Sequence, residues 1–276
     1  MTEIAVSKAI EMVKAKSNGG DAVIGHDVTI NFHPDRYTSS NIPLLLAIAK
    51  DGYLKSQFET HTSNGGLTAY KGGDRWLWEQ RIFGGAYDNA ENCFRPKYGA
   101  LNYKNDEIGA APRFGSAYFK LKPHTLKRTT FCYPDSYFNP QDFATTDNAD
   151  ALISMAISSN ADLLDDYIEA HVHGVISVHD DIESIVLDPI YKESQVDEYA
   201  SQLGIPIEWH GGFQLSVEEM GRYPDYRGLS FIELAQKLAI DGVLDAKLLG
   251  IAVNEYGFEE QDIKKIWHYL ARFGRR

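Results

Sequence analysis

The sequence is poor in cysteine and has no long apolar run. Its cysteines, Cys93 and Cys132, are too few for a disulfide framework or a metal-thiolate cluster and fit a reducing compartment. No apolar run approaches the ~20 residues of a membrane-spanning helix, and the first residues lack the basic and apolar regions of a signal peptide. We therefore expect no membrane partner, and a protein that is cytoplasmic or translocated by a system without a cleaved signal peptide.

Positive charge and the common nucleotide-binding loops are also scarce. The formal net charge is −12, which argues against extended nucleic-acid binding. Neither a G-x-G-x-x-G pattern nor a G-x-x-x-x-G-K-[ST] loop occurs, so the usual phosphate-binding loops are absent. With 43% hydrophobic and 24% charged residues, the composition is that of a globular protein.

The chain does contain a series of strand patterns, followed by a helical C-terminal part. Alternating or apolar runs predict strands at 28–33, 53–60, 97–102, 113–121, 128–133, 167–173, 182–187 and 205–209. Helical spacing and stop signals predict helices at 3–16, 42–51, 76–82, 149–158, 191–204, 231–240, 246–250 and 259–273. This order predicts an α+β fold with antiparallel or mixed sheets and flanking helices. We divide the chain into an N-terminal helix and linker (1–27), a core (28–190) and a mostly helical C-terminal extension packed on the core (191–276).

One strand pattern carries unusual chemistry. In the run 167–173 apolar and polar residues alternate, so that Glu169, His171 and His173 share one face. Since a strand rises about 3.3 Å per residue, neighbouring groups on that face lie about 6–7 Å apart. This pattern favours a cleft floor on which Glu169 does chemistry. The alternative is the solvated polar face of an antiparallel sheet.

The histidines leave two further interpretations open. His171 and His173, together with His33 and the run 179–181, offer the nitrogen and oxygen donors that zinc or manganese hydrolases use. The helical H-E-x-x-H pattern of many such enzymes is missing. The other alternative is a catalytically inactive ligand-binding module.

Several longer stretches resemble a family of bacterial proteins of unknown function, DUF3626. The similar stretches are Ser56–Thr60, Asn64–Gly66, Gly73–Arg75, Arg95–Asn102 and Pro112–Ser116. The resemblance covers most of residues 28–190.

A more distant resemblance is to the ADP-ribosyltransferase fold. There, a strand ending in a residue such as His33 precedes a helix ending at a glycine such as Gly52, and a later strand bears a glutamate at the place of Glu169. This resemblance implies an ADP-ribosyltransferase-like core that cleaves NAD, its substrate, and transfers ADP-ribose to an unknown macromolecular acceptor. We expect the acceptor to be a protein and the setting to be that of a bacterial toxin or effector.

The same resemblance implies roles for individual residues. Glu169 would stabilise the oxocarbenium-like state of the ribose, and His33 would hold the ribose or the nicotinamide amide. The residues expected to bind NAD are Arg36, Ser56, Thr60, Ser63, Arg75, Tyr98 and Arg113, with Arg95 as a further pyrophosphate partner and Tyr53 and Tyr87 as alternative stacking partners. Arginine-modifying transferases carry Glu or Gln two residues before the catalytic Glu. This chain has Tyr167 there, so arginine is not the expected acceptor.

Overall fold

The computed structural model describes residues 2–22, 25–61 and 68–275. Its strands are β1 (Val28–Phe32), β2 (Tyr53–Leu54), β3 (Lys97–Leu101), β4 (Ala117–Leu121), β5 (Thr129–Tyr133), β6 (Asp142–Thr145), β7 (Glu169–Val172), β8 (Ile176–Ser177), β9 (Ile182–Leu187), β10 (Ile207–Trp209), β11 (Gln214–Ser216) and β12 (Val243–Asp245). Its α-helices are α1 (Thr2–Lys14), α2 (Leu44–Asp51), α3 (Gln57–Thr60), α4 (Asp74–Ile82), α5 (Asp150–Ile157), α6 (Val178–Asp181), α7 (Gln195–Ser201), α8 (Val217–Met220), α9 (Leu229–Leu238), α10 (Ala246–Asn254) and α11 (Glu260–Phe273). Among the described residues, no helix is both long and apolar enough to cross a membrane.

An eight-stranded sheet of order β10-β9-β4-β1-β3-β7-β5-β6 forms the centre of the fold. Its neighbours pair antiparallel, except that β9 and β10 run parallel. This mixed sheet with flanking helices confirms the α+β prediction.

Strand β7 lies inside the sheet, between β3 and β5. Glu169 faces Ala100 of β3 and Cys132 of β5 in the register, and His171 faces Tyr98 and Thr130. All four residues of β7 are buried. The polar face of this strand is therefore packed, and the interpretation as a solvated sheet surface was wrong.

Two of the three hydrophobic clusters among the described residues cover most of the sheet. The larger one contains Ala170 and Val172 of β7 together with side chains of the C-terminal helices, such as Trp267 and Leu270 of α11. The smaller one joins α1, α4 and the β5–β6 end of the sheet; its buried members are Ala5, Ala9, Val13, Trp78, Ile82, Phe83, Tyr87, Cys132 and Phe143. The Trp78 ring packs 5.1 Å from the ring of His171. The apolar layer formed by α1 and α4 therefore shields the polar face of β7 from water.

The strand predicted at 53–60 was mostly wrong. Only Tyr53–Leu54 is extended, and Gln57–Thr60 forms the short helix α3. The reason is a capping box, because Glu59 accepts a hydrogen bond from the backbone N–H of Ser56 at 2.8 Å while the Ser56 side chain caps the backbone of residue 59. This local bonding favours a helical turn over a strand.

The helix expected after Thr38–Asn41 begins later than the polar residues suggest. Thr38 Oγ1 accepts a hydrogen bond from the N–H of Ile42 at 3.2 Å, which holds a loop, and α2 starts at Leu44 after Pro43. It ends at Gly52, whose φ of 74° is the left-handed conformation that glycine adopts without a steric penalty. The predicted glycine stop is therefore confirmed.

Candidate functional site

A cleft of about 450 Å³ opens beside the inner strands of the sheet. Its lining includes residues of β1, β3 and β7, the segments around 53–60, 111–114 and 135–137, and Lys264 of α11. A volume of this size lies within the range of about 300–1,000 Å³ that small-molecule sites occupy.

The cleft brings together some of the site residues that were predicted from the sequence. Six of them line it, namely Tyr53, Thr60, Arg75, Tyr98, Arg113 and Glu169. His33, Arg36 and Ser56 are not among the described residues that line it, and Ser63 lies outside the described residues. Ser56 has a structural position, since it caps α3 and donates a hydrogen bond to the Asn92 carbonyl at 2.8 Å.

Glu169 lies on the cleft floor and is held at both carboxylate oxygens. Ser136 donates to Oε2 from its hydroxyl at 2.9 Å and from its backbone N–H at 3.3 Å. Oε1 lies 3.0 Å from Nε2 of His171. Burial raises the pKa of Glu169, but the hydrogen bond from His171, the Arg75 guanidinium and the bond from Ser136 outweigh it, so the pKa is lowered. The carboxylate is therefore ionised at neutral pH, although only 6% of the residue is exposed.

A chain of buried hydrogen bonds lies behind this carboxylate. The Tyr87 hydroxyl is 2.7 Å from Nδ1 of His173, whose Nε2 is 2.9 Å from the hydroxyl of Thr130. The same hydroxyl is 3.1 Å from Nδ1 of His171. One arrangement that satisfies every bond has Tyr87 donating to His173, His173 to Thr130, Thr130 to His171, and His171 to Glu169. The network thus fixes the orientation of Glu169.

This network bears on the proposed metal site. The nitrogens of His171 and His173 converge on the hydroxyl of Thr130, which occupies the position that a shared metal would need. A different set, Cys132, Glu169 and His171, has ligand atoms within 4.8 Å of one another. Burial, followed by the charge of Glu169, raises the pKa of the Cys132 thiol well above its usual value. Glu169 and His171 already bond to each other, and Glu169 also accepts from Ser136, so the arrangement favours a packed hydrogen-bond network over a metal centre.

The aromatic candidates occupy different places. Tyr53 and Tyr98 line the cleft, whereas Tyr87 belongs to the buried network. The guanidinium of Arg75 lies 3.9 Å from the centre of the Tyr98 ring and donates to Oγ of Ser136 at 3.0 Å. Arg75 therefore stacks on Tyr98 and also supports, through Ser136, the hydrogen bond to Glu169.

A buried ion pair fixes the other end of Tyr98. Its hydroxyl donates to Glu79 at 2.8 Å, and Glu79 also pairs with Arg95 at 2.6 Å. Both charged side chains are almost fully buried, with 1% of Glu79 and 5% of Arg95 exposed. Arg95, a predicted pyrophosphate partner, is thereby engaged in the interior of the protein.

Several cationic groups lie on or near the cleft. Arg113 and Lys264 line it, and Arg36 is close enough to His33 to affect its pKa. Burial, followed by the charges of Arg36 and Lys264, lowers the pKa of His33 to about 3. Burial and the charge of Arg113 also lower the pKa of Lys264. Positive charges are therefore close to one another beside the cleft, where Arg113 pairs with Asp165 and Arg36 lies 3.8 Å from Glu260.

The lining residues that the sequence analysis did not identify include Asp135, Ser136 and Lys264. Asp135 and Ser136 follow the end of β5, where a carboxylate and a hydroxyl directly after a proline are a recognisable turn signal. Lys264 is one of several polar residues on α11, and the sequence gives no sign that it reaches the cleft.

The chain belongs to the DUF3626 family. The family model, described as a protein of unknown function, matches residues 27–160 and 154–273. No curated protein matches the chain.

Proposed function

We propose that this DUF3626 member cleaves the nicotinamide–ribose bond of NAD and transfers ADP-ribose to a macromolecular acceptor, as its distant resemblance to ADP-ribosyltransferases suggests. The observation that carries the proposal is Glu169, an ionised carboxylate on the floor of a cleft, oriented at one oxygen by Ser136 and at the other by His171.

The chemistry of the bond explains why such a carboxylate is needed. Loss of nicotinamide leaves positive charge on the ribose, in an oxocarbenium-like state. A fixed carboxylate next to the ribose stabilises that charge as it develops and accepts a hydrogen bond from the 2′-hydroxyl. Each carboxylate oxygen has two lone pairs. Ser136 uses both at Oε2 and His171 uses one at Oε1, so one lone pair of Oε1, beside the Cys132 thiol, is left for the sugar. Removing one such electrostatic group from an enzyme typically costs about 10²–10³ in rate.

The rest of the cleft matches the other parts of NAD. Arg113 and Lys264 suit the pyrophosphate, and a guanidinium can pair with two phosphate oxygens at once. Tyr53 and Phe114 offer lining aromatic surfaces for the nicotinamide, since Arg75 already stacks on Tyr98. In this proposal Arg75 acts through Ser136 and Tyr98.

His33 has a different setting from the one expected of it. It follows β1, with its ring centre 5.0 Å from that of Trp267, and its lowered pKa keeps it neutral at pH 7. A neutral imidazole can donate one hydrogen bond and accept another. We assign it an indirect role in orienting the bound nucleotide, through its neighbours Arg36 and Lys264.

Nicotinamide release from NAD by the purified protein in the presence of a chelator tests the proposal. The wild type should release nicotinamide, and Glu169→Gln should release it about 10²–10³-fold more slowly. Glu183→Gln is the matched control, because it also changes a strand carboxylate, one that pairs with Lys120 at 3.0 Å outside the cleft. It should behave as the wild type.

Two results would overturn the proposal. One is the absence of nicotinamide release by the wild type together with no effect of NAD on its melting temperature. The other is release that the chelator abolishes and zinc or manganese restores, which would assign the chemistry to a metal held by Cys132, Glu169 and His171.

A further inference from the structure

A second carboxylate lies in the same cleft as Glu169. Asp135 lines the cleft and is 5% exposed. It accepts a hydrogen bond from the Tyr167 hydroxyl, and its other oxygen accepts one from the backbone N–H of Tyr137 at 2.9 Å. The next residue, Ser136, holds Glu169. The two carboxylates are thus fixed next to each other through adjoining residues.

Their surroundings make these two carboxyl groups different. Burial and the negative charge of Glu169 raise the pKa of Asp135, against the opposing effects of Tyr167, the Tyr137 N–H and Arg113. Glu169, by contrast, has a lowered pKa. When neighbouring groups have pKa values that are driven apart, they suit different roles in acid–base chemistry. Asp135, whose pKa is raised, is the better proton acceptor of the two.

Tyr167 links the two carboxylates. It lies on the chain two residues before Glu169, and its hydroxyl donates a hydrogen bond to Asp135. The segment that carries Glu169 therefore also holds the carboxylate that follows β5.

We propose that Asp135 is the general base that takes the proton from a hydroxyl group of the acceptor protein, an inference that rests on the proposed cleavage of NAD. The acceptor oxygen forms a bond to the ribose C1′ as the bond to nicotinamide breaks, nicotinamide leaves with the bonding electron pair, and the hydroxyl proton moves to Asp135 and then to water. The products are the O-linked ADP-ribose, nicotinamide and one proton, so the charges balance.

The two carboxylates also select the class of acceptor. An acidic side chain needs no base and is repelled by both Glu169 and Asp135. A hydroxyl is neutral until it attacks, so it gains from a base held beside the ribose. Because the chain carries a net charge of −12, it favours a protein acceptor over a polyanionic nucleic acid.

Small nucleophiles test this role without knowledge of the acceptor. Methanol must lose a proton when it attacks the ribose, whereas azide does not. With NAD as donor, Asp135→Asn should form methyl ADP-riboside about 10²–10⁴-fold more slowly than the wild type, the usual range for general acid–base catalysis. It should form ADP-ribosyl azide at a rate within a few-fold of the wild type. Mass spectrometry distinguishes the two products.

Control variants separate this inference from the proposed function. Asp166→Asn removes a carboxylate that bonds Tyr133 and Lys104 outside the cleft, and it should leave both reactions unchanged. Glu169→Gln should slow both reactions. If the wild type forms neither product, NAD cleavage itself fails. If Asp135→Asn keeps methanolysis, or loses methanolysis and azide transfer equally, NAD cleavage stands and the base assignment is wrong.

The pH profile gives a second readout. Asp135 faces the ionisable groups Glu169, Tyr167 and Arg113, and the thiol of Cys132 lies on β5, the strand that precedes Asp135. The bond from Tyr167 favours the ionised form of Asp135, so Tyr167→Phe should move the acidic limb of methanolysis to higher pH. Asp166→Asn should leave it in place. An acidic limb that does not move in Tyr167→Phe would contradict the role of Asp135.

Discussion

Thr130→Val tests the buried network that orients Glu169. Thr130 is fully buried, and its hydroxyl contacts Nδ1 of His171 and Nε2 of His173. Valine keeps nearly the same shape but removes the hydroxyl, which leaves two buried imidazole nitrogens without their partner. Since each buried polar group that loses its partner costs about 1–3 kcal/mol, we expect the free energy of unfolding to fall by about 2–6 kcal/mol.

Thermal or urea unfolding provides the assay. For a domain of this size a loss of 1 kcal/mol lowers the melting temperature by about 2–4 °C, so Thr130→Val should melt at least about 4 °C below the wild type. Its NAD cleavage should also fall, because His171 no longer has a fixed orientation from which to hold Glu169.

Thr130→Ser is the matched control. It keeps the hydroxyl and loses one methyl group, which typically costs about 0.5–1.5 kcal/mol. The serine variant should therefore be more stable than the valine variant. The opposite order would show that packing, and not the hydrogen bonds of the hydroxyl, determines the stability at this position, and it would refute the network argument.

Three further predictions concern other parts of the molecule. Lys264→Ala should raise the KM for NAD about tenfold or more with little change in kcat, since a hydrogen bond to a charged group contributes about 1.5–3 kcal/mol. The control is Lys265→Ala, which changes a neighbouring lysine outside the cleft lining and should leave the KM unchanged. Glu79→Gln should cost about 3–5 kcal/mol of stability in urea unfolding, because Arg95 would keep a buried charge without its partner; a loss below about 1 kcal/mol would contradict this. His268→Gln should make the stability of the protein less sensitive to acid. Burial lowers the pKa of His268 in the folded protein from 6.5 to about 2, so below pH 6.5 the unfolded chain binds one more proton than the folded one. As the pH falls from 6.5 to 4.5, the wild type should therefore lose stability relative to the variant by about 1.4 kcal/mol per pH unit. If the free energy of unfolding of the two proteins changed with pH in parallel, this prediction would be refuted.

Alternation in the sequence was enough to predict much of the sheet and to single out Glu169. The pattern at 167–173 reports which residues share a face, because side chains alternate along any strand. It does not report what covers that face. His171 and His173 are buried because α1 and α4 pack over this end of the sheet, and the sequence gives no direct sign of that long-range packing.

The neighbours of Glu169 could not be identified from the sequence, for a related reason. Ser136 and Asp135 lie more than thirty residues before it, and they meet it only because β5 pairs with β7. Strand pairing is a tertiary property that a single sequence does not encode in its local pattern. The helix α3, by contrast, could have been predicted in place of a strand. Ser56 and Glu59 have the spacing of a capping box, which outweighs the strand-like alternation nearby.

The central claim is that Glu169 stabilises the transition state of NAD cleavage and not the bound substrate. The most direct test is the affinity of Glu169→Gln for NAD, measured by calorimetry beside its rate of nicotinamide release. We predict a Kd within a few-fold of the wild-type KM and a rate lower by about 10²–10³-fold, as expected when an interaction acts mainly in the transition state. A variant that still cleaves NAD at the wild-type rate, or that loses activity only because it no longer binds NAD, would contradict the account.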